Sequence, residues 1–267
     1  MKLSIITVNL NNREGLQKTI DSVFNQTFCD FEWIVIDGGS TDGSKELIKQ
    51  YADHFTYWVS EPDKGIYNAM NNGVKVANGE YIQFLNSGDW LYNEHALSDI
   101  WGRNDIPTED IVYGTIVDGI PFQYPKKLSL EHFVDSTLFH QSTFIKRKLL
   151  LETPYDESYK ITADQKFFME QIVLHHASYR GIDKRVSCFQ PGGISSNHEL
   201  HIKEQRRILE DLFSPMEIEL IDNYMNHKYA YMTPYYNYID KNPKLSKFVR
   251  RIVRLHNFFN NKEDLIQ

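Results

Sequence analysis

Hydrophobic and polar positions follow two alternating rhythms over the first 90 residues. Residues 3–8 form a nearly continuous apolar run, the pattern of a strand buried on both faces. Polar Asn11-Asn12-Arg13-Glu14 follows, and Leu16, Ile20, Val23 and Phe24 then recur at the spacing of one helix face. A second strand, 31–36, ends in Asp37-Gly38-Gly39-Ser40-Thr41-Asp42-Gly43-Ser44, a loop by composition whose end can cap a helix over 45–51. Residues 55–59 read as a third strand and Glu61-Pro62-Asp63-Lys64-Gly65 as a turn. A helix runs through Met70 and Val76 to Asn78-Gly79, and a fourth strand, 80–85, leads into Asn86-Ser87-Gly88-Asp89. Strand and helix thus alternate three times, which predicts parallel βαβ units and an α/β fold. In such sheets ligands bind beyond the carboxyl ends of the strands, and both acidic glycine-bearing loops fall there.

Further along, short strands are predicted near Ile111-Val112-Tyr113 and over 186–189, with a helix from Thr162 to about His175. Beyond Leu200 the helical patterns are long and no strand is clear. The division that follows is an α/β domain over 1–200 and a helical extension over 201–267.

Composition narrows the class. With 41% hydrophobic, 13% aromatic and 24% charged residues in 267, the chain is not intrinsically disordered. Its 29 Lys+Arg against 36 Asp+Glu give a net charge of −7, which argues against a nucleic-acid binder. The distribution is uneven: residues 241–262 hold seven cations and no acid, and removing those seven from the net −7 leaves −14 on the rest. In that tail Leu245, Phe248, Val249, Ile252, Val253, Leu255 and Phe259 recur at helical spacing between Lys247, Arg250, Arg251 and Arg254. Such a helix suits an anionic membrane surface, at about 1 kcal/mol per well-placed cation. It reads equally as a helix docked on the body of the protein or on a second copy in a homo-oligomer. No apolar run approaches the length of a membrane span, the start lacks a leader pattern, and Cys29 and Cys188 are too few for a disulfide framework. A cytoplasmic location, with at most peripheral contact to the inner membrane face, is the expectation.

Two carboxylates stand out. Asp37 leaves a central strand into glycines that allow close approach of a ligand, so it can accept a hydrogen bond from a base or sugar, or it can simply close the turn. Asp89 can hold a divalent cation bridging a diphosphate, because one carboxylate with water and phosphate oxygens suffices for Mg2+ or Mn2+, or it can close a turn of its own. The loops match neither a dinucleotide fingerprint nor a P-loop.

Taken together, Ile5-Ile6-Thr7-Val8-Asn9, the segment 33–44 and the segment 79–89 resemble the family 2 glycosyltransferases of the GT-A fold. Asp63-Lys64-Gly65-Ile66-Tyr67-Asn68-Ala69-Met70-Asn71 places the resemblance in the bacterial branch that builds surface polysaccharides. It covers roughly residues 1–195 and implies a Rossmann-like mixed sheet between helices. It further implies that Thr7, Val8 and Asn9 lie along a nucleotide-sugar donor and that Asp37 holds its base, usually uracil. Gly39, Asp63, Lys64, Asn71, Asn86 and Ser87 would complete the donor site, and Asp89 would stand at the last acid of the metal-binding D-x-D-D segment. Here that segment is Asn86-Ser87-Gly88-Asp89, so two acids are absent. An Arg that many members carry is replaced by Met70, with Lys64 or Lys75 as substitutes.

Inverting transfer needs a carboxylate to take the proton of the acceptor hydroxyl. By resemblance that base is Asp164, which opens a helix in Ala163-Asp164-Gln165, where an acid can also simply complement the helix dipole. Residues 139–144 would border the acceptor cleft, and 191–198 would form a polar loop able to close over the diphosphate, with His198 either a metal ligand or a surface residue. The expected activity is transfer of a sugar, most simply from a UDP-sugar, to a hydroxyl of a glycan or lipid-linked oligosaccharide. The depleted acidic segment keeps a second reading open, a sugar-nucleotide-binding protein without transferase activity.

Overall fold

The computed structural model describes residues 2–102, 106–118, 120–122, 127–189 and 197–241. In chain order its elements are β1 (Leu3–Asn9), α1 (Arg13–Phe24), β2 (Phe31–Asp37), α2 (Ser44–Gln50), β3 (Tyr57–Ser60), α3 (Ile66–Val76), β4 (Tyr81–Phe84), β5 (Trp90–Leu91) and α4 (Ser98–Trp101). There follow β6 (Ile111–Asp118), β7 (Ile120–Phe122), α5 (Leu130–Asp135), β8 (Thr143–Lys146), α6 (Arg147–Glu152), α7 (Ala163–Met169), β9 (Tyr179–Cys188), α8 (His198–Leu212) and α9 (Pro215–Asp240). The chain divides into two compact units, Met1–Ile208 and Leu209–Gln267. Most of the basic segment 241–262 and the loop residues 191–196 lie outside the described residues.

Among the described residues the strands form one nine-stranded sheet in the order β3-β2-β1-β4-β8-β6-β9-β5, with β7 beside β6. β1, β2, β3 and β4 are mutually parallel, whereas β8 joins β4 in the antiparallel sense. Every residue of β1 is buried, as its continuous apolar run requires of a strand covered on both faces. Fully burying Leu3, Ile5 and Ile6 contributes about 1.5–3 kcal/mol each.

α1 turns Leu16, Ile20 and Val23 into the core, but Phe24 from the same periodic set is exposed and meets the ring of His54 edge-on. α3 lies against β1 through Gly73, where a Cβ would come within 2.5 Å of Ile6 Cγ2. The expected helix to about His175 changes character on the way: α7 ends at Met169 and the chain continues as a π-helical turn, Glu170–Leu174.

Buried Glu32 ties β2 to β1 and to the turn before β4. Its carboxylate accepts from Ser4 Oγ at 2.6 Å, from Gly79 N–H at 3.0 Å and from the Asn78 N–H. Burial pushes this carboxyl up, and these bonds more than offset it, so it lies below its ordinary 4.5. A depressed carboxyl contributes stability above the unfolded pKa and loses it as pH falls through the folded value. Glu32→Gln is therefore expected to cost about 1–3 kcal/mol at pH 7. Urea unfolding between pH 3 and 8 should show the gap to the wild-type protein narrowing as the pH falls below about 4.5.

Candidate active site

The parallel register sets Asn9 beside Asp37 and Asp37 beside Ser60, at the carboxyl edge of β1, β2 and β3. Asp37 is wholly buried. Its Oδ1 accepts from Asn9 Nδ2 at 2.7 Å and Ser40 Oγ at 2.6 Å, and its Oδ2 from Ser60 Oγ at 2.6 Å and the Ser40 N–H at 3.0 Å. Burial pushes the carboxyl up, but the bonds from Ser40, Ser60 and Asn9 hold it below its ordinary 3.8. Four donors fill the four acceptor positions of a carboxylate. Asp37 therefore locks three strand ends together, and a base N–H could reach it only by displacing one of them.

The neighbouring acid is differently disposed. Asp63 accepts from the Gly65 N–H at 2.8 Å through Oδ1, and its Oδ2 lies 2.6 Å from where a Cβ on Gly38 would stand. Leu10, largely exposed, approaches the same point to 3.3 Å. Gly39, at φ +82°, packs on Pro62 with its Cβ position 3.1 Å from the Pro62 nitrogen. Thr7 faces the core, where its Oγ1 accepts from Trp33 Nε1 at 3.0 Å. Lys64 is exposed at the start of α3. Asn71, expected along the donor, instead clamps Tyr155: its Nδ2 donates to the Tyr155 carbonyl at 2.8 Å and to Glu157 at 3.1 Å, and its Oδ1 accepts the Tyr155 N–H at 3.0 Å.

The loop after β4 joins this edge through the Ser87 N–H, which donates to the Val8 carbonyl at 3.0 Å. Asn12 Nδ2 donates to the Ser87 carbonyl at 2.9 Å, and the Thr19 hydroxyl of α1 meets the Asp89 carbonyl at 2.6 Å while accepting the Gly88 N–H at 3.1 Å. A rigid backbone thus presents Asp89. Its burial pushes the carboxyl up to about 7, against the charge of His140 and hydrogen bonds from the Asn86 backbone and the Gln141 side chain. Among the described residues no three His, Cys, Asp or Glu side chains gather as a metal site. Yet Asn86 Oδ1 and Gln141 Oε1, both buried, have no hydrogen-bond partner. Asp89, the Gln141 side chain that reaches it and Asn86 in the same loop carry oxygens of the kind a hard divalent cation takes, with water and phosphate completing its shell. His198 is exposed at the start of α8.

Asp164, buried near the start of α7, anchors the other half of the site. Glu204 of α8 holds the preceding loop by accepting from the N–H groups of Lys160 at 2.7 Å, Ile161 at 3.0 Å and Thr162 at 3.2 Å. Asp164 Oδ1 accepts from Tyr67 OH and from the Gln165 N–H, both at 3.0 Å. Its Oδ2 faces His140 Nδ1 at 3.0 Å, and His140 Nε2 meets Asn86 Nδ2 at 3.1 Å. Burial works against the imidazolium, but the hydrogen bond and charge of Asp164 and the charge of Asp89 lift His140 above its ordinary 6.5. Burial and Asp164 together push the Tyr67 phenol well above 10, which keeps it a donor. Three of the four acceptor positions of Asp164 are filled, and the one left belongs to Oδ2. Tyr67 and His140 were not assigned roles from the sequence. Both lay in segments marked by resemblance, but their partner is distant along the chain and no local pattern reveals it.

A mixed sheet that carries acids into its strand-end loops, with a buried carboxylate opening a helix across from them, is the GT-A architecture. The family model described as Glycosyl transferase family 2 matches residues 4–172, and the chain belongs to that family. An uncharacterized glycosyltransferase of Mycobacterium tuberculosis is 34% identical over 189 residues, 64% of this chain and 69% of the relative. The poly(ribitol-phosphate) beta-N-acetylglucosaminyltransferase TarP of Staphylococcus aureus is 26% identical, over 100% of this chain and 85% of its own. Among solved structures, S. aureus TarS 1–349 in complex with UDP-GlcNAc superposes with a TM-score of 0.61 at 21% identity over 74% of this chain. The match spans 61% of that TarS chain, less than two thirds of its length. Glucosyl-3-phosphoglycerate synthase of M. tuberculosis, crystallised with Mn2+, UDP and glucosyl-3-phosphoglycerate, gives 0.56 at 14% identity over 79% of this chain and 80% of its own.

The two acids at the first edge separate by experiment. Asp37→Asn breaks a saturated network and is expected to cost about 1.5–3 kcal/mol of stability as well as nucleotide affinity. Asp63→Asn keeps the acceptor for Gly65 and should lower UDP affinity with little change in Tm. Calorimetric titration with UDP and thermal unfolding of both variants check this.

Proposed function

We propose that the protein is an inverting glycosyltransferase that moves a sugar from a UDP-sugar to a hydroxyl of a glycan or lipid-linked oligosaccharide during bacterial polysaccharide assembly. The observation that carries this reading is Asp164: a buried carboxylate with one unfilled acceptor position, linked through His140 to the loop that bears Asp89. Family membership and the UDP-GlcNAc and UDP complexes of the neighbours support the donor class. The beta linkage in the name of TarP supports inversion in a relative.

In this reading the nucleotide lies along the edge formed by Val8, Asn9 and Gly39, its base against Leu10 with an N–H turned to Asp63. Asp37 acts beneath it by holding the strand ends. Lys64 and the loop of Asn86 and Ser87 reach toward the diphosphate. Asp89, Asn86 Oδ1 and Gln141 Oε1 would hold a divalent cation, Mn2+ or Mg2+, whose charge would offset that of the departing diphosphate. The acceptor hydroxyl gives its proton to Asp164 Oδ2 as its oxygen bonds to the anomeric carbon. The bond from that carbon to the diphosphate breaks on the opposite side, and UDP leaves with the electron pair.

Residues 1–200 form the catalytic domain in this reading and 201–267 an extension. Among the described residues no helix is long and apolar enough to cross a membrane. The seven cations of 241–262 would instead rest on the anionic inner face of the cytoplasmic membrane, beside a lipid-linked acceptor.

Asp164→Asn should reduce transfer by 10²–10⁴-fold while donor affinity stays within about twofold. Product formation and thermal shift against UDP-, GDP- and dTDP-sugars, each with and without Mn2+, measure the two quantities. Full turnover by Asp164→Asn would remove it from the mechanism, and donor binding without turnover in the wild-type protein would mark a sugar-nucleotide-binding protein instead.

A further inference from the structure

We infer that His140 is a positioning residue that ties the catalytic base to the donor loop, so that a donor seated at Asn86 aligns Asp164 Oδ2 for the acceptor hydroxyl. The inference rests on the reading of Asp164 as the base.

The backbone that carries His140 is held firmly. It opens a single 3-10 turn, His140–Ser142, just before β8. The Gln141 carbonyl accepts from Gln83 Nε2 of β4 at 2.8 Å, and the Ser142 hydroxyl meets that of Ser187 in β9 at 2.6 Å. From this fixed base the ring reaches Asp164 and Asn86 with its two nitrogens, at 3.0 and 3.1 Å. The imidazole is planar and rigid, so a rotation that adjusts one nitrogen displaces the other.

Each end of the link has one free variable. At Asp164, Tyr67 and the Gln165 N–H both bind Oδ1, so the hydrogen bond from His140 sets how Oδ2 is turned. At Asn86 the backbone carbonyl is committed to the Asp89 N–H at 2.9 Å, leaving the amide as the part able to respond. One end of that amide meets His140, and the other, Oδ1, is buried without a partner. A buried polar atom with no partner carries a penalty that a bound group removes. A ligand hydroxyl or cation meeting Oδ1 would fix the amide, the amide would fix the ring, and the ring would fix Oδ2.

Histidine is required because its nitrogens occupy both positions. An asparagine amide can replace only the nearer nitrogen, Nδ1, and a glutamine amide only the farther one, Nε2. The two substitutions therefore cut the link at opposite ends.

The test uses the full chain with Mn2+ and follows UDP release from UDP-GlcNAc, UDP-Glc and UDP-Gal with water as acceptor. His140→Ala should lower kcat by 10–100-fold with the donor KM within about twofold. H140N, which keeps a donor toward Asp164, should recover much of that loss, and H140Q should not. Asn86→Ala should also lower kcat, here with a rise in donor KM because Asn86 faces the donor and its cation. The kcat of the double variant with His140→Ala should be no lower than that of the slower single variant, since residues acting through one link are non-additive. Wild-type kcat in His140→Ala, a loss confined to KM, equal recovery by H140Q, or additive losses would each overturn the inference. Asp164→Asn run in parallel separates the levels. An inactive Asp164→Asn beside a fully active His140→Ala defeats this inference alone, whereas an active Asp164→Asn, or no UDP release by the wild type from any of the three sugars, defeats the reading beneath it.

Discussion

A buried anion with no cation beside it among the described residues sets the terms for this molecule. Asp37 sits fully inside the protein and is held ionised by hydrogen bonds alone, from Asn9, Ser40 and Ser60. An unpaired buried charge is expensive, and each missing donor would be felt in full. That cost makes the arrangement specific: the ends of β1, β2 and β3 must arrive together, in register, or the carboxylate has nowhere to be. The edge on which the donor is proposed to lie is thus defined by the need to satisfy one oxygen pair.

The two buried carboxylates differ in how fully they are satisfied: Asp37 has four donors and Asp164 three. Asp164 keeps one acceptor position open, and Asn86 and Gln141 keep buried amide oxygens without partners. Buried polar networks rigidify when every member is paired, and open members mark places where something else is expected to bind. The contrast lies in the carboxylates and not in the amides, since Asn9 Oδ1 beside Asp37 and Asn86 Oδ1 beside His140 both lack a partner. Burial is also what pushes Asp89 up to about 7, with His140 and the Asn86 and Gln141 hydrogen bonds working against it.

Much of the fold was legible because its central strands are buried on both faces. A nearly continuous apolar run marked β1, mostly apolar segments marked β2 and β4, and the acidic glycine-bearing loops after β2 and β4 marked the edge where the candidate site lies. β9 was legible only at its end, since residues 179–185 are half-buried or exposed and only Val186, Ser187 and Cys188 are buried. Phe24 fits the period of α1 yet lies outside the core, because periodicity gives direction without saying how far the covering layer extends. At the site, residue identity was more readable than residue role. Asp37 and Asn71 looked like ligand contacts, and their side chains are taken up by the protein. His140 was placed only at the border of the acceptor cleft, with no role of its own, and it touches both halves of the site. Roles depend on which lone pairs remain free, and that is settled by partners such as Asp164 and Asn86, 24 and 54 residues from His140.

The clamp made by Glu204 carries a lesson about where the working unit ends. The residues matched by the family model stop at 172, but the loop that delivers Asp164 is held from α8, more than 30 positions later. A relative could keep every recognisable motif and still lack this brace, leaving its base on a looser tether. Divergence in the stretch that follows the shared core is therefore a route by which such enzymes can alter turnover while their defining residues stay the same. Shortening the chain to its recognisable part would discard the brace with the rest.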